Sequence, residues 1–153
     1  DQGPQVGAEL FRIAAEGTKF APIQVRRGIL PDMGLTHLLP SVVGTQKALE
    51  LAVRAGNGGF FDAQEALDLG IVTKVVREED LRDEAMEMAR AIAQGPTLAL
   101  GFAKEGMYRG ARSDLETALE WEGPKVTQCF ASVDCDESRR AFMEKREPVF
   151  LGR

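Results

Sequence analysis

The stretch FDAQEALDLGIVTKVV, residues 61–76, contains a complete transition from helix to strand. Asp62 and Glu65 have the three-residue spacing of a capping box in its aspartate form, which predicts that a helix begins after Asp62. Gly70 is the residue type that most often ends a helix, and the β-branched run behind it predicts a brief buried strand. The stretch therefore predicts a short helix followed directly by a strand, as in α/β proteins.

Residues 11–30, upstream of this stretch, mix β-branched and aromatic residues with turn signals at Gly17 and Pro22. This pattern predicts two short strands or a hairpin-like excursion, followed by a loop. From Gly34 onward the pattern is mostly helical.

The segment 44–56 predicts a helix that Gly56 ends. Its apolar residues Ala48, Leu49, Ala52 and Val53 are expected to share the buried face.

Helical spacing continues through most of the second half of the chain. The stretch EEDLRDEAMEMARAIAQG (78–95) predicts a helix that is closed by Gly95-Pro96, and Ser113 with Glu116 predicts a second capping box. Gly123-Pro124 predicts a kink or break, because proline lacks a backbone donor and clashes with the preceding turn. The predicted helices of this half cover residues 78–95, 97–108, 113–131 and 136–146.

The composition narrows the class of protein. Of the 153 residues 44% are hydrophobic and 28% charged, as in an ordinary globular protein, and no apolar run approaches the length of a membrane span. The net charge of −5 with no basic block argues against nucleic-acid binding. Cys129 and Cys135 lack metal-ligand spacing and favour free thiols in a cytoplasmic protein, and His37 is the only histidine.

The predicted strands are few and lie early, whereas the helices are many and lie late. So few strands would leave open sheet edges. The sequence therefore predicts that the chain depends on a partner or lacks an N-terminal half.

Three segments resemble the enoyl-CoA hydratase/isomerase (crotonase) superfamily. KFAPIQVRRGILPDMGLTHLLPSVVGTQKALEL (19–51) is similar to the stretch that follows the family's active-site helix. FDAQEALDLGIVTKVV (61–76) resembles its A-x-E-A-x-x-x-G-[LI]-V-x-x-V-V signature, and AFMEKREPVFLGR (141–153) its F-x-E-K-R-x-P-x-F C-terminus. The likeness runs from about residue 11 to 153, and the order of the motifs makes it specific.

The resemblance implies an α/β fold, with part of a ββα spiral in residues 1–76 and a helical oligomerisation region in residues 77–153, in a homotrimer or hexamer. The implied partner is an acyl-CoA thioester as substrate, with no further cofactor, no metal, no nucleic acid and no membrane. In the implied chemistry, two backbone N–H groups stabilise the thioester enolate while carboxylates move protons. The resemblance also implies that an N-terminal half with the first oxyanion donor is missing.

QVGAEL (5–10) resembles the family's G-G-G-x-E-L motif. This similarity implies Glu9 as a catalytic carboxylate and the Val6 and Gly7 backbone as part of the oxyanion hole. The alignment requires a gap before residue 11, and an ordinary solvated glutamate is the alternative.

The similarity implies two further catalytic candidates. Gln24 occupies the position of the second glutamate of hydratases, and an amide cannot serve as a general acid. Asp32 lies where some isomerase-type members carry a proton-shuttling base. The alternatives are a polar loop residue for Gln24 and a helix N-cap for Asp32.

Phe142 and Lys145 lie in the C-terminal motif, where the family implies contact with coenzyme A. Solvated helix residues are the alternative. Together these expectations favour double-bond isomerisation over hydration, with a non-catalytic fragment or pseudo-enzyme that retains oligomerisation surfaces as the competing hypothesis.

Overall fold

A computed structural model describes residues 11–153 of the protein. These residues form two compact units, one ending at Ala85 and the other comprising Met86–Arg153. The four strands are β1 Ile13–Ala15, β2 Lys19–Phe20, β3 Phe61–Asp62 and β4 Lys74–Val76. The seven α-helices of this part of the chain are α1 Leu35–Val43, α2 Thr45–Gly56, α3 Ala63–Asp68, α4 Leu81–Gln94, α5 Thr97–Gly110, α6 Leu115–Phe130 and α7 Val133–Glu144. Short 3-10 helices cover Ile23–Arg27 and Glu78–Asp80.

The strands pair across the sequence rather than with their neighbours. β1 pairs in parallel with β4, and β2 pairs antiparallel with β3. The two strands predicted in residues 11–30 are confirmed, but the hairpin alternative is wrong. The turn between β1 and β2 is closed by Thr18 N–H, which donates to the Ala15 carbonyl at 3.1 Å, and Gly17 in this turn has φ 82°. After the turn, β2 pairs with β3 and not with β1.

The hydrophobic core of the first unit joins α2 and α3 to the strands. Leu51 and Ala66 are fully enclosed, and the Phe20 and Phe61 rings stack with their centroids 5.6 Å apart. The buried cluster consists of Ala14, Leu51, Phe61, Ala63, Ala66 and Val72.

Helix α2 has the predicted bounds but not the predicted buried face. Ala48 is buried as expected, together with Leu51 and Ala55, whereas Leu49 and Val53 are 57% and 64% exposed. The spacing of the apolar residues in α2 fits two overlapping faces of the helix. Contacts with the elements that pack on α2 determine which of these faces is buried.

The cap at α3 confirms one half of the predicted capping box. The Asp62 carboxylate accepts a hydrogen bond from the Glu65 backbone N–H at 2.8 Å. The Glu65 carboxylate does not return to Asp62 but binds the Arg54 guanidinium through two bonds of 2.8 and 2.5 Å. This ion pair lowers the pKa of Glu65, chiefly through the hydrogen bonds from Arg54.

Helix α6 departs from the prediction at two points. Its N-cap is Asp114, which accepts from Thr117 N–H, while the Ser113 hydroxyl donates to the Arg109 carbonyl instead. The predicted capping box at Ser113 is therefore wrong by one residue. Of the predicted kink or break at Gly123-Pro124, the break is wrong, because α6 continues through Pro124. Proline removes one donor, and the flanking turns keep theirs.

Carboxylates of α7 hold the C-terminal tail. Asp134 is buried and accepts the backbone N–H groups of Leu151 and Gly152 at 2.6 and 2.9 Å. Glu137 accepts the Val149 N–H at 2.9 Å. The tail is thus held through its backbone N–H groups, and its own side chains do not take part in these hydrogen bonds.

Within residues 11–153, no helix combines the length and the hydropathy that a membrane crossing requires. The functional division into regions 1–76 and 77–153 stays a prediction.

Candidate active site

The loop at residues 28–34 connects the 3-10 helix Ile23–Arg27 to α1. Gly28, at φ 72°, ends the 3-10 helix, and the chain then runs through the loop to Asp32. The Gln24 side-chain amide Nε2 donates a hydrogen bond to Asp32 Oδ1 at 3.2 Å. The structure therefore brings together two of the residues that the sequence singled out.

The Asp32 carboxylate is not a helix cap. Helix α1 has Gly34 as its N-cap, and no side chain caps the helix. Asp32 contributes only its backbone carbonyl, which accepts from Leu35 N–H at 2.9 Å. The N-cap alternative for Asp32 is wrong, because the two residues between it and α1 turn the chain.

Those two residues both adopt left-handed backbone conformations, Met33 with φ 54° and Gly34 with φ 81°. Glycine adopts this region freely, but methionine does so at a cost of about 1–2 kcal/mol. Strain of this kind collects at functional sites. The sequence gives no signal for Met33, since methionine has no preference for a left-handed conformation.

Large apolar residues lie on both sides of Asp32 in the sequence, and together they form what we call the apolar rim. We use this name for Ile29, Leu30 and Met33, whose side chains are 53%, 68% and 75% exposed. Asp32 is also exposed, and within residues 11–153 its side chain has Gln24 as its one hydrogen-bond partner. One carboxylate oxygen is thus held by a neutral donor while the other is available to a ligand. A single exposed carboxylate with one oxygen open to a ligand can accept a proton and return it.

Phe142 and Lys145 lie at the end of α7, in the second unit. Phe142 is 82% exposed. Lys145 ends the helix in a left-handed conformation, with its backbone N–H donating to the Phe142 carbonyl at 3.3 Å. Its ammonium group forms no ion pair with any residue from 11 to 153.

Arg146, the next residue, in contrast forms ion pairs with two carboxylates. Its guanidinium binds Glu137 and Glu144, each at 2.6 Å. The hydrogen bonds from Arg146 lower the pKa of Glu137 to about 2, and the same contacts raise the pKa of Arg146. Of the two cations, Lys145 is the one left available for an anionic ligand, and its contact with coenzyme A stays a prediction.

Glu9, Val6 and Gly7 lie outside the described residues. Their predicted roles as carboxylate and oxyanion donors therefore stay predictions.

Comparison with known proteins places these residues in a family. Residues 10–153 match the protein family described as enoyl-CoA hydratase/isomerase. A crotonyl-CoA hydratase of Syntrophomonas wolfei is 36% identical over 143 residues, a match that covers 94% of this chain and 54% of that protein. A 1,2-epoxyphenylacetyl-CoA isomerase of Escherichia coli is 36% identical over 141 residues, covering 92% and 53%.

The fold agrees with solved structures. The crystal structure of an enoyl-CoA hydratase from Bacillus anthracis superposes with a TM-score of 0.85 at 35% identity, over 94% of this chain and 55% of that one. The predicted partial α/β fold of the crotonase type is thereby confirmed. This chain spans about half the length of most of the relatives it matches. It belongs to the enoyl-CoA hydratase/isomerase (crotonase) family.

Proposed function

We propose that this chain supplies the acid/base carboxylate of an enzyme that moves the double bond of an enoyl-CoA thioester, with Asp32 as that carboxylate. The observation that carries the proposal is the 3.2 Å contact between Gln24 and Asp32, together with the absence of any capping bond on the Asp32 carboxylate. An aspartate locked onto helix N–H groups has a depressed basicity and is a poorer base. The Asp32 carboxylate accepts no N–H group of α1.

The reaction needs one group that accepts and returns a proton. Asp32 removes a proton from C2 of a 3-enoyl thioester, and the electron pair moves onto the thioester oxygen to give a dienolate. The protonated Asp32 then delivers the proton to C4, and the double bond shifts to C2–C3. Backbone N–H groups at the thioester oxygen lower the barrier by about 3–4 kcal/mol each, and the Val6 and Gly7 backbone is proposed as one such donor.

Gln24 supports isomerisation over hydration. Adding water to a double bond requires both activation of the water and delivery of a proton, for which a second ionisable group is suited. The Gln24 amide can orient the Asp32 carboxylate but has no proton to give. One similar relative is named an isomerase, the 1,2-epoxyphenylacetyl-CoA isomerase of Escherichia coli.

Hydration is the second candidate, because other similar relatives are named hydratases. These include the crotonyl-CoA hydratase of Syntrophomonas wolfei and a short-chain-enoyl-CoA hydratase of Clostridium acetobutylicum. In this reading, Gln24 positions the attacking water. Under either reaction, acyl-CoA is the substrate, Lys145 and Phe142 contact its coenzyme A part, and the assembly is a cytoplasmic trimer or hexamer.

The test uses the native polypeptide that contains residues 1–153. Purified protein is given 3-enoyl-CoA and 2-enoyl-CoA separately, and isomerised and hydrated products are separated by chromatography. We expect isomerisation of the first substrate and little hydration of the second, with isomerisation lost in Asp32→Asn. In deuterated water, part of the product should carry two protium atoms at C4, because one carboxylate carries the same proton from C2 to C4.

Three results would count against the proposal. Undiminished isomerisation by Asp32→Asn would exclude Asp32 as the base. Hydration faster than isomerisation would favour the second candidate, and Gln24→Glu would then be expected to increase hydration further. Binding of acyl-CoA without turnover of either substrate would favour a pseudo-enzyme.

A further inference from the structure

The apolar rim lies next to Asp32 in the sequence of the loop. Three large apolar side chains flank a single carboxylate, and Met33 is both the most exposed of them and the one in a left-handed conformation. Met33 is held at this position by the turn that also frees Asp32 from helix capping. The same backbone geometry therefore sets the carboxylate and presents the thioether.

We propose that the Met33 side chain contacts the acyl chain of the substrate and selects for a long, uncharged chain. This inference rests on the proposed function of Asp32. A carbon that exchanges a proton with the Asp32 carboxylate must come within about 3 Å of it. Consecutive Cα atoms are about 3.8 Å apart, so the acyl carbons beyond the reacting ones pass within reach of the Met33 side chain.

Methionine suits this role chemically. Its side chain is unbranched, flexible and polarizable, so it adapts to apolar groups of different shape. Its present exposure is the area that an acyl chain would remove from water, and each additional methylene in contact would strengthen binding. Ile29 and Leu30 extend the same apolar surface on the other side of Asp32.

Arg27 supports the rival substrate class, an acyl chain that ends in a second carboxylate. In a 3-10 helix, residues three apart lie on the same side, so Arg27 shares a side with Gln24. Its guanidinium has no hydrogen bond or ion pair with any residue from 11 to 153. A dicarboxylic chain would, however, lie along the apolar rim and bring a second negative charge toward Asp32, and like charges repel. The uncharged chain fits the surroundings of Asp32 better.

The test measures binding, so that it does not depend on turnover. The native polypeptide containing residues 1–153 is titrated with butanoyl-CoA, octanoyl-CoA and suberoyl-CoA, the last having the same carbon count as octanoyl-CoA and a terminal carboxylate. Variants are Met33→Ala and Met33→Gly, with Met143→Ala as the matched control, since Met143 is 80% exposed and lies in α7. The quantity compared is the ratio of dissociation constants, which is unaffected by the folded fraction of a variant.

We expect the parent to bind octanoyl-CoA more tightly than the other two ligands. Met33→Ala should reduce the preference over butanoyl-CoA by about tenfold, in the range that pocket methylenes give. Met33→Gly should give the same ratio as Met33→Ala, because the side chain and not the strained backbone makes the selection. Met143→Ala should leave the parent ratio unchanged.

Several outcomes would overturn the inference. The first is that the parent shows no chain-length preference. The second and third are a ratio of dissociation constants that is unchanged in both Met33 variants, or one that changes only in Met33→Gly. The fourth is tighter binding of suberoyl-CoA that Arg27→Gln abolishes. Failure of the proposed function looks different, since Asp32→Asn would then retain isomerisation whatever the binding ratios show.

Discussion

Asp32 and Asp62 stand just before helices of the same unit, yet the structure uses their carboxylates differently. Asp62 directly precedes α3, and its carboxylate accepts the Glu65 N–H at 2.8 Å. Asp32 is separated from α1 by the left-handed residues Met33 and Gly34, and its carboxylate meets the Gln24 amide instead. An aspartate near a helix start becomes a cap only where the backbone brings the third N–H over its carboxylate.

This difference distinguishes a carboxylate that stabilises a helix from one that is available for proton transfer. The Asp62 carboxylate is committed to the backbone and stabilises α3. The Asp32 carboxylate has a side-chain partner that can move, so a proton or a substrate can reach it. The two residues therefore provide a matched pair in which the same substitution should have different consequences.

The largest effect is expected from replacing each aspartate by asparagine. Asp32→Asn should lower the kcat for isomerisation by about 10³-fold, within the range for loss of a general acid/base. Its melting temperature should match the parent, since the carboxylate caps no helix. Asp62→Asn should retain activity and stability, because asparagine caps as well as aspartate does. Steady-state kinetics and thermal unfolding of both variants would decide, and equal activity losses would abolish the distinction.

A smaller effect is expected at Gln24, which positions Asp32. Gln24→Leu should lower kcat about tenfold and leave KM within about twofold of the parent, because one hydrogen bond to a charged group is lost without loss of substrate contact. Gln64→Leu is the matched control, since Gln64 donates to Asp68 at 3.0 Å in α3. A fall in kcat of similar size in both variants would show that Gln24 acts only through folding.

Local patterns in the sequence predicted the capping role of Asp62 but not the uncapped carboxylate of Asp32. The Asp62–Glu65 spacing, Gly70 and the bounds of α2 were all readable, because caps and periodicity depend on neighbours in the chain. The resemblance to the family directed attention to Asp32. The left-handed Met33 and the Gln24–Asp32 bond were not predictable, because they depend on how the loop at residues 28–34 folds back toward the 3-10 helix that contains Gln24.

The same limit explains the error at α2. Leu49 and Leu51 are both apolar, and periodicity alone could not rank them. Leu51 is buried because the strands and α3 pack against it, whereas Leu49 is exposed in the described part of the chain. Burial depends on contacts distant in sequence, which a local pattern does not contain.

Stability should show the reverse order of the two aspartates. Asp62→Ala is expected to lower the free energy of unfolding by about 1 kcal/mol, the usual value of a lost N-cap. Asp32→Ala should change it by less than about 0.5 kcal/mol, as for surface positions without a structural bond. Urea denaturation monitored by circular dichroism measures both. A larger loss for Asp32→Ala would mean that the Gln24 contact is structural.

The smallest effect is expected at Glu137, a carboxylate that is committed, like Asp62, but to a guanidinium and a tail N–H. The hydrogen bonds from Arg146 and Val149 lower its pKa from 4.5 to about 2. Because the folded-state pKa lies below the unfolded one, the stabilisation is fully present above about pH 4.5 and is lost as the pH falls toward 2.

Glutamine imitates the protonated carboxyl, so Glu137→Gln should melt below the parent at pH 6, and the difference in melting temperature should shrink between pH 4.5 and 2. Since the Arg146 side chain of this ion pair is exposed to solvent and salt screens the pair, the difference should also decrease at high ionic strength. A difference that stays constant to pH 2 would show that the destabilisation of Glu137→Gln does not come from the loss of the Glu137 charge.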